Sequence, residues 1–569
     1  MEETQFNLLD ECWVPVLRVD GGNAEVSLKD LFVHSYKIRR IDTGDPLQDT
    51  AILGVALAIF ARATFHSEGV KTFGGAAPWI RQMREPDAGN LVAVLGYLEY
   101  FRNRFWLVGG DRPFMQVSEL EPRGGGISKV KLTDLFLESR VSTTKRPQFT
   151  MVADDALKTL TYAEAARRLI TLQAYDIYVP RGAAAGDPRE KAGKVYGVST
   201  GWYGTTGKVI VHGANLMETL LYNLDYGQLT GESFEHDLPV WERAEPDTAA
   251  PRAYTGGPAS QYKDVAIPAK GMCEILTWQS RRIRLQHDGY RIVGVFIANG
   301  DKWYNKDTYV DHLTGYCRNK KQEWVPKLHT AEHSLWYGAS SLLTWLNPES
   351  DEQNKPAPVI RQLGLGRYFP ADTVVNVQLV GVQYGDFYGS FVSQVISESV
   401  PLELSLLTVE GTAVSQMVCE NIKATMRVAD TLGQFASNLL KAAGKVKAAG
   451  KECKSCSDAT SDATEALLHR MEDSFRQWVV LQHPSKDIVL QKKEWQKTVR
   501  TSVRQEVELL INSAGPKAMM GTFVKDRSGN GSFYSAATAR RQLESRLRKI
   551  IPLAYQASTS HSPQEDTNE

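Results

Sequence analysis

Between Arg181 and Lys208 the chain reads RGAAAGDPREKAGKVYGVSTGWYGTTGK. Seven glycines (182, 186, 193, 197, 201, 204 and 207) are interleaved there with five cations, Arg181, Arg189, Lys191, Lys194 and Lys208. The rings of Tyr196, Trp202 and Tyr203 lie among them. Glycine lets a backbone approach a ligand closely and reach positive φ. Successive N–H groups in such a loop can form a nest for phosphate oxygens. Lys and Arg add an attraction to polyanions that is independent of sequence. A long surface loop with turn glycines has the same composition, so both readings stand on residue types alone. A Walker A loop needs G-x-x-x-x-G-K and then Ser or Thr, whereas residues 201–209 read GWYGTTGKV, one residue too long and with Val209 in place of the hydroxyl. No G-x-G of the Rossmann type occurs in the stretch. A mononucleotide cradle of either kind is excluded, and a polymeric phosphate ligand stays open.

Two other constellations could do chemistry. His329-Thr330-Ala331-Glu332-His333 matches H-x-x-E-H, in which two histidines on one helical face hold zinc and the glutamate acts as general base. Pro326 lies just upstream, which puts a helix start near Thr330 and His329 outside its regular geometry. No downstream glutamate stands out as a third ligand, so polar residues at a helix start are the competing reading. Cys453-Lys-Ser-Cys456 is a lone CxxC without a second pair at zinc spacing, read as surface thiols or half of a redox pair. No catalytic residue, metal or cofactor is assigned.

The bulk numbers bound what can position these groups. A chain of 569 residues can build several cores, with two to four domains expected. Hydrophobic content of 42% and charged content of 23% are those of a soluble globular protein. Net charge is zero, where a free-standing DNA-binding protein is more often basic, so nucleic-acid contact would come from local patches within something larger. Six scattered cysteines suit a reducing cytoplasm. The acidic opening Met1-Glu2-Glu3 has no signal-peptide character. The longest apolar run, residues 51–60, falls short of a membrane span and reads as a buried helix. The expected location is therefore the cytoplasm, with no membrane partner.

The pattern along the chain changes near residue 400. Before it, short strands and helices alternate with long irregular connections. Residues 13–19 and 24–28 read as a hairpin turning on Asp20-Gly21-Gly22, and residues 283–285 and 292–297 as a second one. Residues 49–63 and 162–174 read as helices, the latter leading into the glycine stretch. After it, 3.6-residue spacing predicts helices over 406–443, 463–482, 493–513 and 535–555. Joined by short-to-medium loops, four such helices most simply make an antiparallel bundle. The fold class expected is α+β: a mixed α/β domain over residues 1–400 with long loops, a four-helix bundle over 401–555, and a disordered tail over 556–569. Residues 491–550 carry 13 Lys and Arg against 5 Asp and Glu, which leans toward a polyanion partner over a merely solvated face.

With those elements in place, Phe6-Asn7-Leu8-Leu9-Asp10-Glu11-Cys12-Trp13-Val14-Pro15-Val16 resembles the N-L-L-x-x-x-W-I-P-V opening of the CasA family. These are the large subunits of the type I-E CRISPR surveillance complex, Cascade. Residues 26–32 (VSLKDLF), 112–116 (RPFMQ), 277–279 (TWQ), 201–204 (GWYG) and 381–385 (GVQYG) agree in the same order. The resemblance is collinear over most of the chain. It implies a non-enzymatic subunit that reads the protospacer-adjacent motif of double-stranded DNA, mainly through the minor groove. It also implies wedging of the first target base pairs and docking of a helicase–nuclease beside the CRISPR RNA and the other Cascade subunits. Protein reading of a short motif and guide-RNA reading of the sequence is the general logic of RNA-guided recognition.

The resemblance carries expectations for particular residues. The glycine loop should lie within residues 182–201, at Gly182, Gly186, Gly193, Lys194, Gly197 and Gly201. The lysine finger should be Lys302, with Asn299 as the alternative match. The wedge should follow Gly385 at Asp386, Phe387 and Tyr388, where many relatives carry glutamine; an aromatic can unstack a base step in the same way. Lys145, Arg146 and Phe149 are the expected contacts to the guide-RNA handle and a neighbouring subunit, and Arg318, Lys320 and Lys321 are expected to meet phosphates. The alternatives are a zinc hydrolase built on His329, Glu332 and His333, or a scaffold that binds only protein.

Overall fold

The structure is a computed structural model that describes residues 5–66, 75–124, 132–137, 157–196, 199–229, 231–244, 248–252, 266–330, 334–343, 353–366, 368–385, 391–445, 454–525 and 531–556. The chain divides into two compact units. One comprises Met1–Ser334 and Asn347–Val400, the other Leu335–Leu346 and Pro401–Glu569.

The first unit mixes helices with sheets of two or three strands. Strands β1 (Val14–Arg18), β2 (Asn23–Val26) and β3 (Ile38–Ile41) form an antiparallel sheet with β1 central. Gly21, at φ +89°, makes the turn between the first two. Helix α1 (Pro46–His66) is the centre of the unit. Residues 51–63 are buried on every side, the pattern of a core helix. Among the described residues α1 contains the one segment long and apolar enough to cross a membrane, yet 89% of that segment is enclosed by the fold. The helix runs longer than the apolar stretch 51–60 suggests, because Asp45 and Asp49 close its start around Thr43: the Asp49 carboxylate accepts from the Thr43 N–H and hydroxyl at 2.8 and 2.7 Å.

Against α1 packs α2 (Tyr162–Tyr175), which opens with a reciprocal capping box between Thr161 and Glu164. After α2 come β4 (Arg181–Gly182) and β5 (Lys194–Val195), paired antiparallel, and then β6 (Lys208–His212). Strand β7 (Ala266–Ile267) precedes a long hairpin of β8 (Arg281–His287) and β9 (Ile292–Asn299), whose register sets Arg281 opposite Asn299. Strand β10 (Lys302–Trp303) follows at once and runs parallel to β7. Strands β11 (Tyr316–Arg318) and β12 (Trp324–Pro326) form another hairpin.

The chain then enters the second unit as α3 (Ser334–Leu343). Back in the first unit, β13 (Asn354–Lys355) extends the β11–β12 sheet. Strand β14 (Val374–Tyr384) lies between β6 and β15 (Val392–Glu403).

In the second unit α4 (Thr412–Ala442) packs against α5 (Lys454–Val479), α6 (Ile488–Ala514) and α7 (Ala536–Ile550). Their buried residues recur every three or four positions, as in Leu467, Leu468, Met471, Phe475 and Trp478 of α5. Trp336 of α3 is fully buried among the rings of Phe475 and Trp495, 4.8 and 6.3 Å away between centroids, and Trp478 packs tilted against Trp495 at 4.8 Å. Between α6 and α7 a hairpin, Thr522–Lys525 with Gly531–Tyr534, stands where the sequence suggests only a break.

Candidate nucleic-acid interface

The glycine stretch does not form one open loop. Pairing of Arg181 with Val195 and Gly182 with Lys194 folds its first half into a hairpin. Gly186 (φ +79°) and Gly193 (φ +76°) take the left-handed conformation that the turns require. Gly182, Gly186, Lys191, Gly193 and Lys194 are exposed, and a Cβ added at any of these three glycines would meet no atom within 4 Å. Backbone here is open to a ligand. Gly197 lies outside the described residues.

Gly201 corrects the expectation. Its N–H donates to the Asp176 carbonyl at 2.6 Å, and an added Cβ would sit 2.4 Å from the Ala174 carbonyl oxygen. It is a close-packing glycine, buried against the end of α2. The aromatic part of the stretch is likewise core: Trp202 and Tyr203 are 3% and 2% exposed.

Three of the five cations are spent inside the protein. Arg181 joins Arg281 on the buried carboxylate of Asp176. Arg189 is paired with Asp187. Lys208 meets Asp311, which also accepts from the Trp202 indole at 3.0 Å, and its ammonium stands 4.0 Å from the Tyr203 ring centroid. Burial pulls the Lys208 amine below its usual range against the opposing pull of Asp311. A paired, desolvated cation cannot also serve a phosphate.

The second hairpin ends at the turn 299–302. Here too one expectation is corrected, because Asn299 is fully buried. Its amide donates to the carbonyls of Val195 and Tyr196 at 3.1 and 3.2 Å, so it is engaged in fastening the glycine hairpin. The next residues are equally fixed. A Cβ at Gly300 would be 2.3 Å from the Gln279 carbonyl oxygen. The Asp301 carboxylate takes hydrogen bonds from Arg252 and Arg282 at 2.7 and 2.8 Å. Burial would raise that carboxyl, but the two guanidinium groups hold it well below the usual range. Lys302 then emerges half-buried at the start of β10, and its ammonium has no partner among the described residues.

Strand β14 delivers the chain to Gly385, whose N–H donates to the Phe391 carbonyl at 2.9 Å. Asp386, Phe387 and Tyr388 lie outside the described residues, as do Lys145, Arg146 and Phe149. At the tip of the β11–β12 hairpin Lys320 and Lys321 are exposed. Arg318 is partly engaged, lying 4.6 Å over the Trp324 ring and donating to the Gln322 carbonyl at 2.7 Å.

His329 is placed before any helix and is held by the core. Its Nε2 is 3.0 Å from the Lys208 carbonyl, to which it donates, and its ring fills the space beside Gly207 and Gly381. Burial pushes its imidazole down to about 4. Glu332 and His333 lie outside the described residues, and the described part of α3 begins at Ser334.

Sequence reading missed the internal use of Arg189 and Asn299. The one signal was local: Asp187 and Arg189, two apart in a turn, are able to pair.

Residues 7–505 match the family described as CRISPR-associated protein Cse1. The CasA/Cse1 protein of Thermus thermophilus is 29% identical over 298 residues. That alignment covers 51% of this chain and 51% of the other, so the chain spans about half the length of this curated relative. The crystal structure of Thermobifida fusca Cse1 superposes with a TM-score of 0.80 at 26% identity, covering 97% of this chain and 99% of that one. A chain of a CRISPR RNA-guided surveillance complex shares the fold with a TM-score of 0.63 at 16% identity, covering 90% of this chain and 99% of that one. With the family match extending over most of its 569 residues, the chain belongs to the Cse1 family of CRISPR-associated proteins.

Proposed function

We propose that this chain is the large subunit of a type I-E CRISPR surveillance complex and reads the protospacer-adjacent motif of double-stranded DNA from the minor groove. The observation that carries the reading is the fastening of an open glycine hairpin to the turn that presents Lys302, in a member of the Cse1 family. Exposed backbone at Gly182, Gly186 and Gly193 suits close approach to a groove floor, and the Lys302 ammonium, without a partner among the described residues, suits the acceptors found there. Minor-groove patterns are degenerate, so several related motifs would be accepted. Asp386, Phe387 and Tyr388 would then enter the duplex next to the motif and unstack the first target step. Lys194, Lys320 and Lys321 would hold phosphates, and Arg318 would brace that hairpin.

The helices of the second unit, read as a four-helix bundle, would supply further contact through the basic stretch 491–550. Some of that charge is already met by carboxylates of the same unit: Lys492 pairs with Glu420 and Arg540 with Glu508, both at the surface. The partners of such a subunit are the other complex subunits, the CRISPR RNA through Lys145, Arg146 and Phe149, the target duplex and a helicase–nuclease. The role is binding, without catalysis. Lys302→Ala in the reconstituted complex tests the reading. Affinity should fall most for duplexes with the preferred motif, so that the spread of affinities among motifs narrows. Unchanged affinity and an unchanged spread would return the chain to a protein-binding scaffold.

A further inference from the structure

The Arg189 side chain is 3% exposed and that of Asp187 is fully enclosed, although both stand in a turn of an otherwise open hairpin. The guanidinium is shared between two tasks. Its Nε and Nη2 donate to the Asp187 carboxylate at 3.0 and 2.9 Å. Its Nη1 donates to the Gly300 carbonyl at 2.7 Å, and Nη2 also donates to the Asn299 carbonyl. The Asn299 amide returns two bonds to the hairpin, at Val195 and Tyr196. The turn itself cannot slide, because Gly300 abuts the Gln279 and Arg281 backbone and Asp301 is held by two arginines.

We infer that Arg189 is a positioning residue which locks the glycine hairpin to the Lys302 turn, so that motif selectivity, rather than overall DNA affinity, depends on it. The inference rests on the DNA-reading function proposed above. Two groups that read neighbouring positions of one groove discriminate only if their spacing is fixed to within about half an ångström. The Arg189 charge is cancelled by Asp187 inside the protein, so it adds nothing to the field that draws DNA in. Removing the lock therefore separates selectivity from attraction. A lysine at 189 keeps the charge, but its three donors on a single nitrogen cannot reproduce the four bonds that the planar guanidinium spreads over a carboxylate and two carbonyls.

The test uses the assembled complex carrying the full chain, with duplexes that differ only in the motif. Arg189→Lys and the charge-conserving pair Asp187→Asn with Arg189→Gln are compared with the unsubstituted chain. The expected result is a roughly tenfold fall in the ratio of affinities between best and worst motifs, the scale of one lost base-pair readout. Affinity for the worst motif and the salt slope should stay as they were. A merely structural residue would lower binding to all motifs equally, and that outcome overturns the inference. So does a ratio kept within twofold in the variants while the unsubstituted chain discriminates. An unsubstituted chain that fails to discriminate overturns the DNA-reading function itself and the inference with it. Hydrogen exchange on the unsubstituted chain gives a check that needs no variant. The Ala183 and Lys191 amides of the hairpin and the Gly300 and Asp301 amides of the turn should share one opening free energy. Hairpin amides that open while the turn stays protected would show there is no lock.

Discussion

Gly186, Gly193 and Gly201 look alike in the sequence, yet alanine at each should act through different physics. At Gly186 and Gly193 the backbone has φ of +79° and +76°, and no atom lies within 4 Å of an added Cβ. The only cost is placing an L-residue in the left-handed region, roughly 1–2 kcal/mol. At Gly201 the added Cβ would lie 2.4 Å from the Ala174 carbonyl oxygen and 2.5 Å from the Tyr175 nitrogen. These are backbone atoms at the end of α2 and cannot rotate away. Overpacking of this kind costs about 1–3 kcal/mol or more, and rigid neighbours on the chain put Gly201→Ala at or above the top of that range. Urea unfolding of the isolated chain, followed by tryptophan fluorescence, gives the order of midpoints, and motif binding by the assembled complex gives the functional order. Gly201→Ala should lose the most stability while its folded fraction still discriminates motifs. Gly186→Ala and Gly193→Ala should shift the urea midpoint less than Gly201→Ala and lose discrimination. The reverse order in either assay would refute the division of these glycines into packing and reading positions.

Lys320→Ala with Lys321→Ala should weaken binding to all duplexes by a similar factor and reduce the salt slope by up to about 2, with the motif ranking intact; a changed ranking would place them at bases instead of phosphates. His329 supplies a pH dependence. Its folded value of about 4 lies below the ordinary 6.5, so on acidification the unfolded chain gains the proton first. Its contribution to stability is full above about pH 6.5 and is lost between 6.5 and 4. His329→Gln, which keeps a donor for the Lys208 carbonyl, should flatten that part of the stability curve, and an unchanged acid limb measured by denaturation at a series of pH values would contradict the placement of the ring.

Local pattern carried much of the fold because it is a local property. The turn glycines Gly21 and Gly289 between apolar runs marked both hairpins, and amphipathic spacing over residues 162–174 marked α2, whose Thr161–Glu164 capping box the structure added. The four long helices of the second unit follow from residues buried every three or four positions, though their ends differ from the expected ones by several residues. What could not be read was pairing at a distance. Lys208 looks like a free cation until Asp311 is brought to it across the fold, and Arg281 arrives from as far away to share with Arg181 the nearby carboxylate of Asp176. Trp202 has the composition of a stacking residue and the environment of a core one, since its indole bonds Asp311 more than a hundred positions away. The placement of α3 with the second unit depends on Trp336 meeting Phe475 and Trp495, and nothing near Trp336 announces it.

The most direct measurement of the central claim is binding of the assembled complex, with and without this chain, to target duplexes carrying every adjacent-motif sequence. With the chain, binding should be tight for a small set of related motifs and weak for the rest. Without it, affinity should drop and the differences among motifs should vanish. Equal binding with and without the chain, or a motif preference that survives its removal, would contradict the account.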